Sequence, residues 1–330
     1  MQLYLGVGQL IGTAILKTTG TLETKWAYKI PFTLQFFFPV LLLIGLPFCP
    51  ESPYYLIRAN KPEEAINSLS RFGYPSPNET ASELASTILH EDAVAAKASY
   101  LDCFRGSDLR RTEIATGIIV VAQLTGVIFV VGYSTYFFQL AGIETATSFS
   151  LSVGVSFLGL LGVIGSWFLI NRTGRRLTIL VGVGFITVLL FLIGILDVIP
   201  SSTSSPVYGQ VGCIILFAFT YHLTIGPTSY TLLSEVSSTR LRSRTISLSI
   251  VMQSIFGTLL NIVIPLMISP DAANMKGKIG FVFGGTALLS CTWILFRVPE
   301  TKGRRFRELD TLFEQGISAR KFKEHQLTLG

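Results

Sequence analysis

Apolar residues along this chain gather into long runs almost free of charge, separated by short clusters of Arg, Lys, Glu and Asp. An uncharged run of about 18 residues or more is long enough to cross roughly 30 Å of hydrocarbon as a helix. By that measure the pattern predicts eight spans: residues 1–16, 30–50, 114–143, 145–170, 177–196, 207–233, 245–268 and 279–296. The first is short. It carries Gly8 and Gly12, a GxxxG spacing that either lets a neighbouring helix approach or arises by chance in a glycine-rich chain. Pro31, Pro39 and Pro47 punctuate the second, and Glu144 alone separates the third from the fourth.

Between the second and third runs the pattern changes. Over 51–113 charge returns and the apolar spacing becomes amphipathic. Asn60-Lys61-Pro62-Glu63-Glu64 reads as a helix start, with Pro and acids in the first turn and Ala65, Ile66 and Leu69 as its apolar stripe. A second amphipathic helix is expected over 80–98, with Leu84, Ile88 and Leu89 inward. After the last run, 304–316 is amphipathic too: Phe306, Leu309, Leu312 and Phe313 share a face and Gly316 ends it. The expected organisation is 1–50 as two helices of one bundle, 51–113 as a helical linker, 114–297 as six helices, and 298–330 as a tail too short for a signalling domain.

The stretch 226–245, GPTSYTLLSEVSSTRLRSRT, is the pivot of this pattern. Gly226-Pro227 must loosen or kink the apolar helix it lies in, because Pro cannot donate the i→i−4 bond. The same stretch ends in Glu235 followed by Arg240, Arg242 and Arg244. A breakable helix running into an arginine-rich turn suits a moving part at a membrane face.

Composition sharpens the class. Of the 330 residues 49% are hydrophobic and 14% charged, a charge deficit natural in a bilayer. The net charge of +6 does not point to nucleic acid, since the Arg and Lys sit in short clusters between apolar runs. Cys49, Cys103, Cys213 and Cys291 show no paired spacing, so neither a disulfide frame nor a metal site is indicated. The amino terminus has no positive n-region and no small-x-small cleavage site, a poor fit to a signal peptide. Met1 can equally be an internal methionine.

Basic residues set the expected orientation. One side collects Arg172, Arg175, Arg176, Arg240, Arg242, Arg244, Lys302, Arg304, Arg305 and Arg307, while the opposite loops after the linker hold only Lys276 and Lys278. The arginine-rich side, the linker and the tail are therefore expected in the cytoplasm. Asn78-Glu79-Thr80 is a glycosylation sequon that this topology leaves bare.

Catalytic grammar is absent: no GxSxG, HExxH, P-loop or phosphate-binding glycine loop occurs, and no cofactor is indicated. His90 and His325 read as solvated surface residues. What stands out is polar side chains inside apolar runs, which are costly unless they face a cavity or a partner. Gln123, Tyr133 and Tyr136, with Ser134 and Thr135 between, suit a sugar: hydrogen bonds for hydroxyls, ring faces for C–H faces. Helix–helix adhesion by the same residues is the alternative. His222 and Tyr230 flank Gly226-Pro227; His222 can accept a proton, bond a sugar hydroxyl or simply pack. Asn261 precedes Pro265 by one turn and marks a cavity or a broken helix.

Glu51, Arg175, Arg176, Glu235, Arg240, Arg242 and Glu300 lie just past helix ends on the arginine-rich side. Acids and arginines there can pair when that side is closed and part when it opens, biasing a two-state rocking equilibrium. The alternative is that they only fix topology.

Together these motifs resemble the sugar porter family of the major facilitator superfamily. PESPYYL resembles its PESPRWL, NRTGRR its D-R-x-G-R-R, SEVSSTRLRSRT its E-x-x-x-x-R-x-R block, and PETKG its terminal motif. The similarity runs over essentially the whole chain. Within the family, WAYKIPF at 26–32 and GYSTYFF at 132–138 look most like fungal α-glucoside (maltose-type) proton symporters. The resemblance implies an all-α membrane protein of the major facilitator fold, with two six-helix bundles rocking about a midplane site and proton-driven uptake, in the plasma membrane. Its implied partners are a small-molecule sugar, protons and the lipid bilayer. It also implies that the chain starts near the family's fifth helix, without about the first four, and so does not transport alone.

The family's hexose-binding QQ pair is here Ala122-Gln123, Ile128 stands for its Asn, and His222 and Tyr230 stand where hexose carriers often have Glu and Trp. These departures direct the expectation to a disaccharide or another substrate. Asn171 replaces the usual Asp and weakens one charged pair. A non-transporting sugar sensor of the same fold is the rival, disfavoured by the short tail; an inactive fragment is another. A membrane-embedded enzyme ranks below both.

Overall fold

The computed structural model describes residues 2–96, 99–199, 205–304 and 306–322, with the side chains of 90–96, 205 and 307 outside the described set. His325, the His90 side chain and the polar turn at 200–204 therefore lie outside the described residues. In chain order the first helices are α1 (Gln2–Thr19), α2 (Trp26–Leu34), α3 (Phe37–Gly45), α4 (Pro53–Arg58), α5 (Pro62–Arg71) and α6 (Pro77–Ala96). Next come α7 (Gly106–Leu124), α8 (Ser134–Leu140), α9 (Thr145–Thr173), α10 (Arg175–Val198) and α11 (Ser205–Leu223). The last are α12 (Ile225–Val236), α13 (Arg242–Ile268), α14 (Ile279–Arg297) and α15 (Phe306–Glu314). No strand occurs among the described residues. The chain forms two compact units, Lys25–Tyr100 and, together, Met1–Thr24 with Leu101–Gly330.

In the smaller unit, the apolar run is divided by its prolines. Pro39 cannot bond the carbonyl of Gln35, and the helix breaks there between α2 and α3. Neither helix has a buried residue, and Phe36, Phe37, Leu43 and Phe48 are exposed. Helices α4, α5 and α6 pack on one another. Helix α5 starts at Pro62 as its sequence predicts and buries Ala65, Ser68 and Leu69. In α6 the inward residues are Ala81 and Ile88; Leu89, expected inward, is 72% exposed, because one step along a helix turns a side chain by about 100° off the stripe.

The larger unit is a helical bundle whose core includes Phe129, Phe137, Phe217, Ile179, Ile186 and Phe283. Small residues allow the closest approaches. A Cβ on Gly280 of α14 would lie 2.4 Å from the Leu190 carbonyl oxygen of α10, and one on Gly162 of α9 would lie 2.7 Å from the Phe219 carbonyl oxygen of α11. Helix α1 packs along α9 through Gly6, beside Leu160, and Gly20, just past its end, lies beside Phe149. Gly8 and Gly12, the GxxxG pair, have nothing within 4 Å, so that spacing makes no contact.

Six helical stretches among the described residues are long and apolar enough to span a bilayer: Trp26–Phe48, Thr145–Thr173, Arg175–Val198, Pro206–Val236, Arg242–Ile268 and Lys276–Arg297. The other two of the eight expected runs are helical but do not reach that measure. Helix α1 is diluted by Gln9, Thr13 and Lys17. The run at 114–143 is cut into α7, a π-helical turn Ile128–Gly132, and α8. The pivot helix also breaks, but at Thr224 (φ −121, ψ −69) rather than at Gly226-Pro227. Pro227 has no N–H to offer the carbonyl four residues back, that of Leu223, where α11 ends; Pro227 itself sits in the first turn of α12, where no N–H is needed.

Candidate functional site

Two polar regions emerge, one at the break in α7 and one at the arginine-rich end. The α7 break is made by Gly126, whose φ of +82 is left-handed and whose Cβ position is only 2.9 Å from the Phe283 ring. The Leu124 carbonyl at the broken end accepts a hydrogen bond from the Thr286 hydroxyl of α14, 2.7 Å away. Gln123 sits in the last turn of α7, buried, and its amide makes no side-chain hydrogen bond among the described residues. Its amide atoms are not among the fully buried ones, so an amide with four bonding positions and no described protein partner keeps some open surface, which suits a polar ligand.

Beyond the break, the Tyr133 hydroxyl donates to the Asn261 carbonyl of α13 at 3.1 Å. Asn261 itself is exposed, and its amide donates to the Gly257 carbonyl at 2.8 Å. On the next helix pair, Gln253 of α13 donates to the Tyr230 hydroxyl of α12 at 3.1 Å. Tyr230 also packs against Ala115, Ile119 and Leu233, which joins α12 to α7. Tyr136, on α8, is 37% exposed. The packed helices α7, α12 and α13 thus carry Gln123, Tyr230 and Asn261, and Tyr133, just before α8, joins them through its bond to α13.

His222 is placed differently. It packs into the α9–α11 contact, with its ring against Gly159 and Gly162 and edge-on to Tyr221. Its Nδ1 is buried without a hydrogen-bond partner among the described residues, and no described hydrogen bond or ring contact joins it to the other five residues.

The arginine-rich end is a network. Arg175 holds Glu235 through Nη2 at 2.8 Å and Nε at 3.2 Å, with both side chains about one-fifth exposed. The Thr301 hydroxyl donates to the other Glu235 oxygen. Glu300 accepts from the backbone N–H groups of Arg175 (2.9 Å) and Arg176 (3.2 Å), capping the N-terminus of α10 with a negative charge. Gly174 is needed for this: with φ +91, its Cβ position would fall 2.6 Å from a Glu300 oxygen. NRTGRR, SEV and PETKG are therefore parts of one joint between α9, α10, α12 and the segment after α14.

The other expected gate residues are held separately. Arg240 pairs with Asp108 of α7 at 3.2 Å, and Arg242 lies over the Phe306 ring at 4.2 Å. In its own unit, Glu51 accepts the Ser52 N–H at 3.0 Å, and its carbonyl accepts the Ser68 hydroxyl. Sequence reasoning missed Asp108, Thr301, Gln253, and the Glu113–Arg297 and Arg111–Asp310 pairs. A signal existed for the last two, since Arg110, Arg111 and Glu113 stand at the start of an apolar run and Arg297 at the end of another. Leu309, Leu312 and Phe313 of α15 are buried as expected, whereas Phe306, its first residue, is exposed beneath Arg242.

No group of His, Cys, Asp or Glu among the described residues is arranged to hold a metal ion.

The profile of the sugar (and other) transporter family matches residues 1–313. The chain belongs to this family. Among curated relatives, the general alpha-glucoside permease of Saccharomyces cerevisiae is 35% identical over 325 residues, 96% of this chain and 52% of the permease. Maltose permease MAL31 of the same yeast is 32% identical over 329 residues, 96% of this chain and 53% of that protein. The chain thus spans about half the length of the curated relatives it matches.

Among solved structures, the major facilitator proton:xylose symporter XylE bound to 6-bromo-6-deoxy-D-glucose is 20% identical with a TM-score of 0.73, covering 95% of this chain and 66% of that chain. XylE from E. coli in a partially occluded inward-open conformation gives 18% and 0.71, over 92% of this chain and 63% of that one. These likenesses show the fold, that of the major facilitator superfamily. This sugar transporter family member is a multi-pass membrane protein, of a family of carriers rather than enzymes.

Proposed function

We propose that the protein moves a sugar across the plasma membrane by proton-coupled alternating access, with an α-glucoside as substrate. The observation that carries this is the 35% identity with a yeast alpha-glucoside permease along 96% of the chain. The amide of Gln123 beside the α7 break, without a partner among the described residues and on a residue only 9% exposed, supports it, because a sugar hydroxyl supplies what the protein does not. Gln123, Tyr133, Tyr136, His222, Tyr230 and Asn261 form the proposed sugar site. Glu51, Arg175, Arg176, Glu235, Arg240, Arg242 and Glu300 form the proposed cytoplasmic gate, its centre supported by the joint at Arg175, Glu235 and Glu300. In this reading 1–50 closes one bundle, 51–113 is a cytoplasmic linker, 114–297 is the second bundle, and 298–330 is a cytoplasmic tail.

The test is a chimera in which this chain replaces the matching half of the yeast permease, in transporter-null yeast with surface delivery checked by labelling. Saturable maltose uptake with alkalinisation of the medium is the expected result. A chimera that reaches the surface and takes up no α-glucoside contradicts the substrate; uptake without alkalinisation contradicts proton coupling.

A further inference from the structure

At the arginine-rich end, α9 meets α10 at Gly174, and the segment after α14 passes beside that junction. A cavity of about 540 Å³ lies there, lined by Arg172, Arg176, Lys302 and Arg320, with Glu300 as its acid and Leu177 and Leu180 on its apolar wall. Glu300 does not neutralise these cations through salt bridges. Its Oε1 accepts three backbone N–H groups, those of Arg175, Thr301 and Lys302, and its Oε2 accepts that of Arg176.

Among the described residues none of the four cations forms a salt bridge. Lys302 Nζ donates to the Arg172 carbonyl at 2.8 Å, and Arg176 Nη2 donates to the Leu295 carbonyl at 2.9 Å. The Arg176 Nε is buried with no hydrogen-bond partner among the described residues. Arg320 stacks over Phe296, 4.6 Å from the ring centre. Four positive groups around one saturated carboxylate repel one another, and a polyvalent anion relieves that repulsion while giving each guanidinium an acceptor.

The cavity also opens onto hydrocarbon-compatible surface. Leu177 on its wall is 51% exposed, and Val181, Phe185 and Val188 continue the exposed apolar face along α10 at helical spacing. On α14, which packs against α10, Phe296 and Leu289 are exposed as well. A cationic cup at a helix end with an apolar track leading away from it has the form of a phospholipid: charged head, then acyl chains. A free anion has no use for the track.

We propose that this cavity is a binding site for an anionic phospholipid, its phosphate monoester headgroup held by Arg172, Arg176, Lys302 and Arg320 and its chains along Leu177 and Val181. The site rests on the chain being a membrane protein and not on which sugar it carries. Because Glu300 and Arg176 border both the cavity and the Arg175–Glu235 joint, a bound lipid would stiffen that joint.

The experiment uses the whole 330-residue chain in uncharged detergent micelles. It is titrated with dioctanoyl phosphatidic acid, dioctanoyl phosphatidylcholine and inorganic phosphate, reading bound mass by native mass spectrometry and the thermal unfolding midpoint. Phosphatidic acid is expected to bind one per chain and raise the midpoint, with the other two weaker by about ten-fold or more. K302Q/R320Q is expected to weaken phosphatidic acid by about ten-fold or more. R172Q, which removes a side chain engaged in no described bond, gives the same loss and serves as the second variant if the first does not fold. Equal binding of phosphatidylcholine, equal binding of inorganic phosphate, or phosphatidic acid binding untouched by the variants each overturns the proposal. A chimera that fails to carry maltose leaves this outcome unaffected.

Discussion

Tyr133 donates its hydroxyl to the Asn261 carbonyl at 3.1 Å, and Pro265 is the reason that carbonyl is free. Four residues on in α13, Pro265 has no N–H to offer it, so a side chain from beyond the α7 break takes the place of the missing helical bond. Y133F is therefore expected to lower stability by ~0.5–1.5 kcal/mol. P265A restores the helical donor, and in that background Y133F is expected to cost almost nothing. Thermal unfolding of the four proteins of this cycle checks it; equal effects of Y133F in both backgrounds would break the link between Tyr133 and Pro265.

At the joint of α10 and α12, E235Q keeps the shape but removes the charge that Arg175 and Thr301 share. Because both ionic partners are about one-fifth exposed, the expected loss is ~1–2 kcal/mol rather than the larger figure for a fully buried pair. A charge swap, R175E with E235R, is expected to recover part of it. If the joint is a gate, E235Q also shifts the chimera's accessibility to a cytoplasmic cysteine reagent.

Helix packing supplies a matched pair. Gly280 and Gly285 both lie in α14, but only the first faces backbone, with the Leu190 carbonyl oxygen 2.4 Å from its Cβ position and nothing within 4 Å of the second. G280A is expected to separate α10 from α14 and cost ~2 kcal/mol or more, while G285A is neutral or stabilises by up to ~1 kcal/mol. The midpoints of the two variants decide it.

The tail is tied down by Arg111, whose side chain is 4% exposed, bonded to Asp310 and the Leu309 carbonyl, and stacked on Phe313 at 4.6 Å. D310N leaves that guanidinium buried without its counter-charge, at an expected cost of ~3 kcal/mol. The sign is that trypsin reaches Lys302 and Arg304 faster in D310N than in the parent chain, with cuts elsewhere unchanged.

Much of this was legible because it is local. Uncharged runs marked the helices, and the charged motifs named Arg175, Glu235 and Glu300 before their contacts were known. What was misplaced followed from helical phase and from proline's reach. Leu89 sits one residue off the stripe that Ile88 occupies, and Pro227 ends α11 at Leu223, four residues before itself, so that the break falls at Thr224. The Tyr133–Asn261 and Arg111–Asp310 contacts join segments more than a hundred residues apart, so no spacing within either segment encodes them. His222 was read with the sugar site because it neighbours Gly226 in sequence, and its packing on the glycines of α9 was not visible there.

The account turns on Gln123 meeting a sugar, and equilibrium binding of labelled maltose to the purified chain, with and without Q123A, tests that most directly. Saturable binding that Q123A weakens by ~1–3 kcal/mol, roughly 5- to 150-fold in affinity, is the expected result. Absence of saturable binding to any α-glucoside, or identical binding by Q123A, would contradict it.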